Sequence, residues 1–342
     1  MKIPCVLPFD GVWPQVAGEP RFCGPSAAVL GKVELGARAA LAARSVIRAD
    51  GHFIRIGDNF SLGGESTIHI ARDRYPTLIG CNVAVGRASV IHACTLGDHC
   101  VIGDGSVVLD GSVVEDFVQV EPGSIVFPRS NLKTGRVYGG SPAKPIRSLT
   151  PDEFERRRTF VEEGVCTSPA PTFAAGAPTR GALGAEIFVA ETACLSALVE
   201  AGADASIFFS CLLDAGSHSI VIGRRSNVQD NTRIAASQSN VVIGEDTTIG
   251  HNVRLESCVI GDRSLIGIGS DLAAGSIVEN DVLVAAGSTT DVGQRLEQGW
   301  VWGGRPARPL SKLDDAKRAM LQAITDQYCV YGRAYRLAQG SS

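Results

Sequence analysis

The stretch VIGDGSVVLDGSVVEDFVQVEPGSIV, residues 101–126, sets Ile102, Val108, Val114, Val120 and Val126 six residues apart. Glycine or an acidic residue often follows each of them, and a small residue usually stands four positions on. A period of six is neither the roughly 3.6 of a helix nor the 2 of a flat strand. It predicts a solenoid in which each hexad forms one short side of a triangular coil and three hexads close a turn. The aliphatic side chain of each hexad then points into a narrow core. Glycine, Asn and Asp serve the corners, where positive φ is often required.

A longer period contains the short one. Ile79, Val85, Ile91, Leu96, Ile102, Val108, Val114 and Val120 match Ile243, Ile249, Leu255, Ile260, Ile266, Leu272, Val278 and Val284 at a constant offset of 164. YGGSPAKP (138–145) meets WGGRPARP (302–309) at the same offset, so the chain is a tandem duplication. The expected fold is mainly β: two tandem left-handed parallel β-helices of hexapeptide repeats, each followed by a C-terminal α-helix. The first domain is expected over 1–165 with a helix at about 151–163, opened by Thr150 and Pro151. A Pro/Ala/Gly-rich linker covers 166–182, and the second domain covers 183–342 with a helix at about 313–336. Trp300 and Trp302 are expected to pack on that last helix.

Composition narrows the class. Apolar residues make up 44 % of the 342 but aromatics only 6 %, and 39 glycines favour short aliphatic strands with tight turns over a helical bundle. A net charge of −4 gives no global attraction for nucleic acid or an anionic membrane. No apolar run approaches the ~18–20 residues of a membrane span. The opening MKIPCVLPFDGVW carries no charged leader followed by an apolar block. Ten cysteines without a CxxC pair fit a reducing compartment, so a cytoplasmic protein is expected. The flat sides of a short solenoid also lead us to expect a homotrimer packed side by side.

Several stretches resemble the γ-class carbonic anhydrases and related hexapeptide-repeat proteins. In the first half they are VIRADG (46–51), IGDNF (56–60), STIH (66–69), PTLIG (76–80), VGRASVIHACTLGD (85–98) and GGSPAKPIRSLT (139–150). In the second they are IGRRSNVQDNTRIA (222–235), IGHNVRLESCVIGD (249–262) and GGRPARPLSKL (303–313). The resemblance implies a trimer whose zinc lies between subunits, held by two histidines of one and a third from its neighbour. The fourth position is left open for a water whose pKa the metal lowers. Iron or cobalt are alternative metals.

Carried over residue by residue, the two same-subunit positions are His69 and His92, and the neighbour's position is Arg87. In the second half the same positions hold Ala235, Glu256 and His251. Each half thus retains the imidazoles that the other has lost. Arg48 and Asp50 occupy the family's intersubunit ion-pair region, against Leu212 and Asp214 in the second half. The family's NxQD stretch survives as Asn227, Gln229 and Asp230 but is Ser61, Gly63 and Gly64 in the first half. A composite set of His69, His92 and His251 would rebuild the metal site, with Arg48, Asp50 and Gln229 ordering the pocket.

Three readings follow from these residues. One is a metal-dependent lyase that hydrates CO₂ or a related small electrophile at an inter-domain or inter-subunit site. Another is a catalytically degenerate scaffold, since a ring of first halves offers two histidines with Arg87, a fixed cation. A ring of second halves offers His251 and Glu256 with no third ligand. The last is acyl transfer from acyl-CoA with His69 or His92 as general base. The GGxPA(K/R)P ending is shared with acyltransferases of this fold, but no long insertion breaks the hexads.

Overall fold

The computed structural model describes residues 2–72, 74–167, 183–184 and 186–340. The chain divides into two compact units, Met1–Pro171 and Thr172–Ser342. The linker expected at 166–182 lies outside the described residues, apart from Cys166 and Thr167. Both units are left-handed parallel β-solenoids.

In the first unit, one wall stacks Thr67–His69, Val90–His92, Val107–Val108 and Ile125–Val126 in parallel. A second wall stacks Ala40–Leu41, Ser61–Leu62, Ala84–Val85, Val101–Ile102 and Gln119–Val120. A third stacks Thr77–Ile79, Thr95–Leu96, Val113–Val114 and Asn131–Leu132. The first and third walls read as one 12-stranded sheet because Val46–Ile56 runs unbroken through a corner. Its two ends pair with Thr67–His69 and with Thr77–Ile79. Alternation along each strand sends every second side chain inward. Ile47, Ile68, Ile91, Val108 and Val126 therefore form one buried column, each contributing about 1.5–3 kcal/mol by leaving water.

The Ile-Gly-Asp signature of the hexads has a steric and a polar cause. A Cβ on Gly86 would stand 2.2 Å from Asp104 Oδ1 on the next coil, so only glycine leaves room for that carboxylate. Asp104 Oδ1 in turn accepts the Arg87 N–H at 2.8 Å. Gly97 and Asp116 repeat the device, with Asp116 Oδ1 accepting the Asp98 N–H at 2.8 Å. Corners use the left-handed region as expected, at Asn59, Asn82, Asn231 and Asn252, but also at Ala88, Ala93, His99 and Phe117.

Helix α1, Pro151–Thr167, lies on the second wall. Phe154 packs with Val101, Val137 and Leu149, and Val165 with Ala40 and Ala42. That last contact carries the helix past Gly164, four residues beyond its expected end.

The second unit closes three walls of 8, 5 and 6 strands around Ile207, Val228, Ile249, Ile266 and Val284. Helix α2, Asp315–Gly340, starts after Asp314, whose Oδ1 accepts the Lys317 N–H at 2.8 Å. It covers one wall through Tyr328 and Tyr335, which meet Phe208 and Phe209 edge to face. The two tryptophans depart from expectation. Trp302 closes the end of the solenoid core and donates Nε1–H to Glu297 O, while Trp300 sits beneath Lys312, 3.7 Å from its ring centre. The solenoid needs a lid where stacking ends, and the indoles supply it.

Candidate metal centre

Strand pairing brings His69 and His92 into direct register on adjacent coils, 23 positions apart in the chain. Ile68 and Ile91 point inward, so both imidazoles stand on the outer face of the same wall. Nδ1 of His69 lies 3.3 Å from Nε2 of His92, with the ring centres 5.3 Å apart.

A carboxylate stands at the far nitrogen of each ring. His69 Nε2 is 2.8 Å from Asp50 Oδ1, and the second Asp50 oxygen accepts from the Arg48 guanidinium. Arg48, Asp50 and His69 are all buried. His92 Nδ1 is 2.6 Å from Asp110 Oδ1, whose side chain is 39 % exposed. Burial pushes the Asp110 carboxyl up, but the charge and hydrogen bond of His92, with Arg74, outweigh it and hold it below its ordinary range. The result is a chain Arg48–Asp50–His69–His92–Asp110 running from the interior to solvent.

The donor set suits a divalent metal. Two nitrogens bound to one tetrahedral ion at about 2.0–2.1 Å stand roughly 3.3–3.4 Å apart, and the observed separation is 3.3 Å. Carboxylates on the remaining ring nitrogens are the usual support for metal-binding histidines.

In the second unit, Ala235 and Glu256 occupy the same registered positions. Glu256 accepts from the Ser237 and Ser257 hydroxyls at 2.6 and 2.8 Å, which ties it to its own corner. His251 is buried, with Nδ1 3.2 Å from Asp230 Oδ2. Asp230 is oriented by the Phe209 N–H, which donates to Oδ1 at 3.0 Å. Gln229, also buried, donates Nε2–H to Asn227 Oδ1 at 3.1 Å, and Asn227 donates to Thr248 Oγ1 at 2.9 Å. Arg87, at the position where the second half has His251, is half exposed and reaches Glu65 at 3.8 Å.

Register corrects one pairing between the halves. Ile47 pairs with Ile68 just as Leu213 pairs with Ile234. The counterpart of Arg48 is therefore Asp214, and that of Asp50 is Gly216, not Leu212 and Asp214. The offset is 166 before His69 and 164 after it, because the coil from His69 to His92 is two residues longer than that from Ala235 to Glu256. The extra length lies at a small turn bridged by Ala71 and Tyr75. Asp110 is the site residue that sequence reasoning missed. Register sets Leu109 one coil beyond His92, since Ile91 pairs with Val108, and Asp110 stands one residue past it.

No family model matches the chain. It is 39 % identical over 150 residues to gamma carbonic anhydrase 2, mitochondrial, of Arabidopsis thaliana, covering 42 % of this chain and 54 % of that protein. It is 35 % identical over 167 residues to protein YrdA of Escherichia coli (strain K12), covering 46 % of this chain and 90 % of that protein. A solved structure of a hexapeptide transferase family protein from Anaplasma phagocytophilum overlays 45 % of this chain and 92 % of its own, with 30 % identity and a TM-score of 0.44. The chain spans little more than half the length of the plant relatives it matches. Among the described residues no helix is long and apolar enough to cross a membrane.

Proposed function

The chain belongs to the γ-carbonic-anhydrase-like family of hexapeptide-repeat proteins, and from that premise we propose that it is a metal-dependent lyase hydrating CO₂ or a related small electrophile. The observation that carries this reading is the registered pair His69 and His92, whose facing nitrogens are 3.3 Å apart. His69, His92 and His251 supply the three imidazoles, drawn from one chain or from neighbouring chains of a homotrimer. Zinc is the metal proposed, with iron or cobalt as alternatives, and the cytoplasm is the proposed compartment. A divalent ion held there supplies the Lewis acidity that makes water nucleophilic near neutral pH.

The chain's own groups do the rest. Asp50 and Asp110 hold the His69 and His92 imidazoles in place from behind, while Asp230 stands beside His251 at 3.2 Å without hydrogen-bonding its Nδ1. Arg48 compensates the buried Asp50 charge, and Gln229, fixed by Asn227, orders the polar side of the pocket. Hydration adds a water oxygen to the electrophilic carbon and releases one proton.

The test is metal content and CO₂ hydration of the purified chain beside His69→Ala and His251→Ala. About one metal per chain is expected, lost in both variants. A preparation well below one zinc, iron or cobalt per chain overturns the lyase reading. Loss in only one variant shows that His69 and His251 do not share an ion.

The second reading is a non-catalytic scaffold of the same fold. It is favoured by the engagement of Arg87 with Glu65 and of Glu256 with two serines, each standing where a relative would place an imidazole. The same metal analysis separates the two.

A further inference from the structure

We infer that the six-stranded wall of the second unit is a self-association surface, on which a second copy of this chain docks in antiparallel orientation about a two-fold axis. The inference stands apart from the metal reading, because this wall carries none of the residues proposed for the metal.

Each strand of that wall turns one side chain outward. Register lines these up as Glu200, Val221, Val242, Val259, Ile277 and Arg295. Strands about 4.8 Å apart make this a ladder roughly 24 Å long. Four β-branched residues stand in an unbroken row between one acid and one base. Val242 and Val259 remain 36 % and 42 % exposed. Beside them runs a row of glycines, Gly223, Gly244 and Gly261, where a Cβ would meet the next coil at 2.4, 2.3 and 2.3 Å. The wall is therefore flat, a shape on which a second sheet can pack at about 10 Å.

β-Branched residues suit any strand, but the first unit shows that the fold does not require them here. Its corresponding ladder is Arg55, Leu78, Thr95, Val113 and Asn131, interrupted by the Thr95 hydroxyl. The other two walls of the second unit are already accounted for. Helix α2 covers the eight-stranded one, and the five-stranded one holds Ala235 and Glu256.

Charge selects the occupant and its direction. Glu200 is exposed and has no ion-pair partner among the described residues. Arg295 directs Nε and Nη2 to Glu279 Oε1, which leaves Nη1 for another acceptor. With two ladders antiparallel, Glu200 of each copy faces Arg295 of the other. Val221 then faces Ile277, and Val242 faces Val259, so the wall is complementary to itself. A parallel arrangement would set like charges together. A single row of side chains covers less than the about 800 Å² per partner of a standard interface, so the pairing is reversible and depends on concentration.

Sedimentation velocity on the full chain over a concentration series tests this, beside Val259→Asp, Glu200→Lys, Arg295→Glu and the double variant Glu200→Lys with Arg295→Glu. The unaltered chain is expected to double its mass as concentration rises, whatever its size when dilute. Val259→Asp should abolish that step, and each single charge reversal should weaken it about tenfold or more. The double variant exchanges the two charges and should restore it. Should Val259→Asp fail to fold, the charge reversals at exposed positions still decide the matter. A single size at every concentration overturns the inference and leaves the wall to a different protein. Doubling that survives Val259→Asp in folded form, or that the double variant does not restore, overturns it as well.

Discussion

His69 and His92 stand one above the other on consecutive coils, Nδ1 of the first 3.3 Å from Nε2 of the second. The contact joins residues 23 positions apart and exists only because coil stacking pairs their strands. His92 lies at the more exposed end of the carboxylate–imidazole chain. Replacing it with alanine should lower bound metal at least ~10-fold while moving the thermal midpoint little. Arg87→Ala, which removes a half-exposed side chain paired with Glu65, should leave metal content unchanged. Elemental analysis and calorimetry on both variants check this, and equal metal loss in the two would count against the site.

Arg48 and Asp50 form an ion pair with both side chains fully buried. Removing one partner leaves an uncompensated charge in a poorly solvated place. Arg48→Met should therefore cost about 3–5 kcal/mol, read from urea unfolding. A loss below ~1 kcal/mol would show that Asp50 is accommodated without its guanidinium.

Gly86 and Gly105 separate steric need from backbone freedom. A Cβ at Gly86 would meet Asp104 Oδ1 at 2.2 Å and the Asp104 backbone nitrogen at 2.6 Å, whereas Gly105, at φ +64°, has nothing within 4 Å. Gly105→Ala should cost on the order of 1 kcal/mol through its left-handed backbone. Gly86→Ala should cost clearly more, because two coils must separate locally. Unfolding curves that rank the two the other way would contradict the packing described.

Thiol reactivity should divide the cysteines by burial. Burial pushes the Cys100 and Cys258 thiols up to about 12, and Cys94 is raised further by burial and the nearby Asp110 charge. At pH 8 these should be inert in the native protein, since the thiolate is the reactive form. Cys166, exposed at the end of α1, should label rapidly. Mass spectrometry after brief alkylation distinguishes them, and early modification of Cys94 or Cys258 would be inconsistent with their place in the core.

Acid should weaken the second unit partly through Asp281. Its hydrogen bonds to Arg263 at 2.9 and 3.0 Å hold its carboxyl below the ordinary range against the opposing effect of burial. Arg318 of α2 adds a contact at 3.5 Å. A folded pKa below the unfolded one means the stabilisation is complete above about pH 4 and disappears as pH falls through the lower folded value. Melting temperatures measured between pH 6 and pH 3 should drop less steeply in Asp281→Asn than in the unaltered chain. Parallel curves would assign the acid sensitivity elsewhere.

The solenoid was legible because its cause is local. Each hexad contributes one inward aliphatic and one corner, so Ile102, Val108, Val114 and Val120 announce the coil before any contact is known. They lie buried as expected, with both helices starting within two residues of their predicted positions. Helix ends were less legible. Val165 continues α1 past Gly164 because Ala40 and Ala42 offer a surface, and tertiary packing overrides the local cost of glycine.

The sequence alone determined the coil, its duplication, and which imidazoles each half retains. Only the tertiary structure decided which residues stand above one another. Two additional residues between His69 and Thr77 shift the correspondence of the halves, so Arg48 aligns with Asp214 and not with Leu212. It also placed Asp110 behind His92 and turned each ring toward its own carboxylate. The physical reason is that stacking neighbours in a solenoid are one coil apart, about 4.8 Å in space. The number of residues in that coil is set by its corners, not by the hexad pattern.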